Sequence, residues 1–230
     1  MDKQNKLFQF ILSRGGFRHD ISFNVAGYLL ANYFKLGDDS DAYSRRLGFG
    51  GIITKEQLLD LSDGNGATFF LCYSNEGGRE SFYLAAAKLD YDENEPTNAS
   101  DVMLNPDDIV YYTDTWLYTG SDDPEVVKEN LKSFYFDDVE AQQTTWDQIA
   151  PDVNRFKEFV QNPNLVVSDY FYDHDLSKMY NELGNGVGIF CTIGYDDTEL
   201  KNPYRIILFQ INSDFNIAWE NKIILERTLP

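Results

Sequence analysis

The run Arg205-Ile206-Ile207-Leu208-Phe209-Gln210-Ile211 constrains the fold more than any other stretch. Alternate side chains of a strand face opposite sides of its sheet. Ile206 and Leu208 would share one face; Ile207, Phe209 and Ile211 would share the other. A strand that is apolar on both faces needs cover on both, so this segment belongs in the middle of a sheet. Strand-like segments flank it: "VGIFCTIGY" at 187–195 and "NIAWENKIILER" at 216–227, joined by short turns at 196–203 and 213–215. Three neighbours so connected predict a C-terminal antiparallel meander.

Further strands are expected upstream. "ATFFLCYS" (67–74) and "ESFYLAAAKLDY" (80–91) are separated by "NEGG", which predicts a hairpin. "DIVYYTDTWLYT" (108–119) and "NLVVSDYFY" (164–172) also read as strands. Helical spacing is seen at 3–13 and 22–36. Residues 37–51, rich in Gly, Asp and Ser, read as a loop. Thr54 and Gln57 form a capping-box pattern for a helix whose Leu58, Leu59 and Leu61 would face the core. Asp123-Pro124-Glu125 signals another helix start: a capping acid, a proline at the first helical position, and an acid facing the positive end of the dipole. That helix is expected over 124–135, with others at 137–149, from Pro151 to about Gln161, and at 175–183.

Helices grouped apart from strand runs indicate an α+β fold with a largely antiparallel sheet and several packed helices. The polar loop 92–107, with Pro96 and Pro106, is where a weak domain division would fall. Composition barely shifts there, so one domain over residues 1–230 is expected.

Charge is the extreme property of the chain. The formal net charge is −19, and residues 90–125 contain eleven acids and no Lys or Arg. Such a field repels phosphates and anionic membranes, so direct nucleic-acid binding and membrane association are not expected. It attracts basic proteins and cations. The amino-terminal segment is not built as a secretory leader, and the chain has only two cysteines, Cys72 and Cys191. Both facts agree with a soluble cytoplasmic protein.

The stretch "DHDLSKMYNELGNGVGIFC" (173–191) carries the most suggestive residues. Phosphate-cradling glycine loops run from strand to helix, so that the anion meets free N–H groups. Here the order is reversed, and Gly184 is better explained as a left-handed helix stop, with Gly186 and Gly188 easing entry into a strand. His174 lies between Asp173 and Asp175, but adjacent residues do not point at one another; capping by one of the acids is the simpler account. Cys191 alternates with Ile189 and Ile193, as a small core residue would. Cys72 in "FFLCYS" has the same setting. The cysteines and histidines lack zinc spacing. An EF-hand register on Gly66 puts Leu61 and Cys72 at ligand positions, which fails. Neither a metal nor a cofactor is expected.

Paired acids remain: Asp38/Asp39, Asp107/Asp108, Asp122/Asp123, Asp137/Asp138 and Asp196/Asp197. Each pair alone suits a turn or a helix cap. Together they leave a negative field, with Tyr111, Tyr112, Trp116 and Tyr118 between two of them. Arginine can stack on a ring while pairing with a carboxylate. The expected function is therefore a non-enzymatic acidic binding protein that recognises or neutralises a basic protein partner, in the manner of an immunity protein or antitoxin. Its partner-binding residues would be Asp107, Asp108, Tyr112, Asp114, Trp116, Asp122 and Asp123. Two alternatives stand beside it. One is a hydrolase assembled around His174 with Cys191 or Ser168 as nucleophile. The other is a nucleic-acid mimic whose carboxylates replace phosphates.

Overall fold

In the computed structural model, strand β9 (Tyr204–Ile211) is buried at every position, on both faces, in the interior of a sheet. The structure describes residues 19–39, 47–48, 50–62, 66–75, 80–88, 107–113, 121–133, 140–161, 168–172, 184–200, 202–218 and 225–228. Expectations for the helix at 3–13, the helix at 175–183 and the division at 92–107 lie outside, or almost wholly outside, these residues.

Two five-stranded antiparallel sheets are present, which confirms the α+β class. In the first, β1 (His19–Asp20), β10 (Leu225–Thr228), β9, β8 (Gly188–Tyr195) and β2 (Gly51–Thr54) lie in that order. The last three strands of the chain are consecutive neighbours, as a meander requires. The meander does not make up the whole sheet, however: β1 and β2, from the first quarter of the chain, complete its edges. The second sheet runs β6 (Gln142–Thr145), β5 (Ile109–Tyr112), β4 (Ser81–Lys88), β3 (Gly66–Ser74), β7 (Ser168–Tyr172). β3 and β4 pair from Ala67↔Lys88 to Ser74↔Ser81, the register of the expected hairpin.

The sheets meet at a seam. The Ala141 amide donates to the Ile52 carbonyl at 2.6 Å, joining the edge strand β2 to the chain just before β6. Buried residues of both sheets form one continuous hydrophobic cluster.

Four helices are described. Helix α1 (Phe23–Asp39) lies on β8 and against α3 (Pro124–Ser133). Gly27 permits that second contact, because the aliphatic stem of Lys128 occupies the space where a Cβ would stand. The Lys128 amine escapes to Asn24 Oδ1 at 2.9 Å and to Glu125 at 2.6 Å, as amphipathic side chains do when their stems are buried. The Asp123 cap is present: its Oδ1 accepts the Glu125 amide at 2.8 Å and the Val126 amide at 3.3 Å.

Helix α2 (Lys55–Ser62) begins as its capping box predicts. Gln57 Oε1 accepts the Thr54 amide at 2.9 Å, and Thr54 Oγ1 accepts the Gln57 amide at 3.3 Å. Leu58 and Leu61 are buried, but Leu59 is 48% exposed. Leucines 58 and 61 are three apart and share a face; Leu59 is rotated about 100° from Leu58 and cannot join them.

The region 137–161 departs from expectation. Gln142–Thr145 pairs with β5 as a strand, and a single helix α4 (Trp146–Phe159) runs through Pro151. Pro151 is the sixth residue of this helix; it forfeits the backbone bond to the Asp147 carbonyl and its ring crowds that carbonyl, a cost that packing must offset. Apolar contacts hold the rest: Phe156 stacks edge-on against Phe82 of one sheet and Tyr204 of the other, at 5.0 and 5.2 Å between centroids. Among the described residues, no helix is long and apolar enough to cross a membrane.

Candidate functional site

A cleft of about 540 Å³ opens where α2 approaches the start of β5 and the end of β4. It is lined by Asp60, Leu61, Lys88, Asp107, Asp108, Ile109 and Tyr111. The local reason is register. Asp107 and Asp108 lead into β5, and β5 turns Val110 inward, leaving Ile109 51% exposed at the rim. Tyr111 is 5% exposed and forms the floor. Its hydroxyl donates to Asp60 Oδ2 at 2.9 Å, which ties the helix to the sheet across the cleft. Burial, then the bond to Asp60 and the nearby charges of Asp60 and Glu56, push the Tyr111 phenol up to about 12. It therefore stays protonated, and a donor, throughout the neutral range.

Three carboxylates against one ammonium make the cleft anionic, and Leu61 and Ile109 give it an apolar wall. A guest with a positive head and an aliphatic stem matches both features.

The other expected contact residues are placed as follows. Tyr112 donates to Gln142 Oε1 at 2.8 Å and stacks edge-on with Tyr83 at 5.9 Å, next to the cleft strand but not in the cleft lining. Asp123 caps α3, and Asp122 precedes it; that helix packs on α1 beside the first sheet, whereas Asp107 and Asp108 enter the second. Asp114 and Trp116 lie outside the described residues. Asp196 and Asp197 are held by the fold: Asp196 accepts from Thr198 and from buried Arg205, at 2.6 and 2.9 Å, and Asp197 accepts the Tyr28 hydroxyl at 2.9 Å.

No protein-family model matches this chain, and no curated protein or solved structure matches it. The residues alone must therefore support any functional assignment.

For the hydrolase alternative, Cys191 is fully buried in β8, and burial pushes its thiol up, away from the thiolate a nucleophile needs. Cys72 is equally buried and is raised by burial and by the charge of Asp152. His174 lies outside the described residues, as does the Ser168 side chain. Gly184 has φ +55°, a left-handed conformation; the helix it is expected to stop lies outside the described residues.

Sequence reasoning missed Lys88 and Ile109 of the cleft lining and, among its carboxylates, Asp60. Asp60 sits between two leucines of a short helix and has no acidic neighbour to mark it. Helical phase does not single it out: Asp60 is rotated about 100° from Leu61, just as exposed Leu59 is from Leu58, and only its meeting with Tyr111 in the fold marks it.

Proposed function

We propose that this chain is a non-catalytic binding protein that recognises a basic protein partner, with the Asp60–Asp107–Asp108 cleft as its point of contact. The observation that carries the proposal is the convergence of three carboxylates from two elements, α2 and the entry to β5, on one cleft with an apolar wall. A lysine or arginine of the partner would lay its stem along Ile109 and Leu61 and place its charge among the carboxylates. The field of the remaining acids would speed the encounter.

A peptide of alternating arginine and glycine serves as a probe. Titrated calorimetrically at low and high salt, it should bind with an affinity that falls steeply as salt rises. The triple variant Asp60→Asn, Asp107→Asn, Asp108→Asn should lose most of that binding while keeping its melting temperature. A salt-indifferent complex, or a triple variant that binds as wild type does, would refute the proposal. Competition by duplex DNA for the partner would shift support to the nucleic-acid-mimic alternative.

A further inference from the structure

We propose that Asn185-Gly186 is a self-modifying step: in the native protein the Asn185 carboxamide is lost to attack by the Gly186 amide, and the isoaspartyl product loosens the start of α2. The chain has two Asn-Gly steps, Asn65-Gly66 and Asn185-Gly186, and the fold sets them apart. Asn185 is exposed in a turn that begins at Gly184 (φ +55°) and leads to β8, and among the described residues no hydrogen bond holds its carboxamide. Gly186 carries no Cβ to crowd a ring closing on its nitrogen. Asn65 lies outside the described residues, but Gly66 is already strand: it opens β3 and pairs with Tyr172. Its nitrogen would have to leave the sheet to react.

The chemistry needs no partner but water. The Gly186 nitrogen attacks Asn185 Cγ; the N–Cγ bond forms, the Cγ–Nδ2 bond breaks, and ammonia leaves with the amide proton. Water then opens the cyclic imide at either carbonyl, giving aspartate or isoaspartate. Nothing is oxidised or reduced, and base speeds the first step by removing the amide proton. The isoaspartate carries the main chain through its side-chain methylene, which lengthens it by about 1.5 Å, one carbon–carbon bond. That length must fit between two anchors. Lys55 Nζ donates to the Gly184 carbonyl at 2.9 Å, and the Lys55 amide donates to the Val187 carbonyl at 2.8 Å. Val187 is held in turn by β9, its amide donating to the Ile211 carbonyl at 3.1 Å. Both anchors reach Lys55, the first residue of α2, so a longer turn releases one of them.

The full chain is aged at mildly alkaline pH and sampled for peptides that separate asparagine, aspartate and isoaspartate, for thermal melting, and for amide hydrogen exchange. In the folded protein Asn185 should convert several-fold faster than Asn65; in denaturant, where only the local sequence acts, the two should convert alike. Folded protein in which Asn65 converts as fast as Asn185 overturns the site. So does folded protein in which Asn185 keeps its amide while the denatured chain reacts at both steps. The effect on α2 is read against Asn185→Asp, which gains the charge without the longer backbone. The isoaspartyl fraction should melt below freshly prepared Asn185→Asp and exchange the amides of α2 faster. An isoaspartyl fraction that matches Asn185→Asp in both measurements overturns the loosening of α2 while the modification site stands.

Discussion

Tyr83 of β4 donates its hydroxyl to Asp152 of α4 at 2.6 Å, inside the protein. Asp152 also pairs with Arg155, one helical turn on, so one carboxylate on the helix satisfies a phenol from the sheet and a guanidinium of its own. Burial, followed by the charges and hydrogen bonds of Cys72 and Asp152, pushes the Tyr83 phenol far above its ordinary value. The phenol therefore stays protonated, and a donor, throughout the neutral range.

Removing the donor should show how much this cross-link contributes. Tyr83→Phe is expected to cost roughly 1.5–3 kcal/mol, the range for a hydrogen bond to a charged group. Asp152→Ala should cost more, because it strands both the phenol and Arg155. Urea unfolding measures both, and a double-mutant cycle isolates their coupling. Additive effects would show that the two side chains do not act as a pair.

Both thiols should be inert in the native state. Cys72 and Cys191 are fully buried, and burial is the leading cause of their raised pKa. A disulfide reagent at mildly alkaline pH should label neither until denaturant is added, then label both. Rapid labelling of either cysteine in native protein would contradict the packing of its strand.

Asp196 predicts an acid-dependent loss of stability. Burial raises its pKa, but bonds from the Thr198 hydroxyl and amide and from Arg205 outweigh that and hold it below the usual carboxylate range. A depressed folded-state pKa stabilises the fold above the unfolded pKa of about 3.9, and this contribution disappears as pH falls through the folded value. The effect is modest because the group is partly exposed to solvent. Thermal melts across the acid range should show Asp196→Asn flattening this part of the curve. Identical slopes for variant and wild type would count against the Arg205 pairing.

Two glycines should respond differently to alanine. At Gly188 a Cβ would overlap the Ile53 carbonyl oxygen, which is backbone of the paired strand and cannot yield. Gly188→Ala is expected to cost several kcal/mol, in the range of about 4 that marks severe core damage, or to prevent folding. Gly184 has open space around its would-be Cβ, and only its φ of +55° opposes substitution. Gly184→Ala should cost roughly 1–2 kcal/mol. Equal effects in chemical denaturation would mean that the Gly188 approach is not tight.

What could be read in advance was local chemistry. Thr54 with Gln57, and Asp123 before Pro124, announce helix starts because capping needs only neighbours in sequence. Cys191 between isoleucines announces a core strand for the same reason. The errors arose where long-range contact overrode local preference. Gln142–Thr145 has no strand-like pattern and is a strand because β5 offers it hydrogen bonds. Pro151 looks like a helix boundary and is not one, because packing of Phe156 against both sheets outweighs one lost backbone bond.

The amino-acid order was enough to read the α+β class, the central place of Ile206–Ile211 and a formal net charge of −19. All three follow from periodicity and from summed charge, which need no knowledge of who meets whom. Long-range contact set the two sheets of the described residues, with β1 and β2 completing the first, and the approach of Asp60 to Asp107, Asp108 and Tyr111. Residues about fifty positions apart meet because a helix and a strand share one core, and side-chain proximity across such a gap is set by packing rather than by order along the chain.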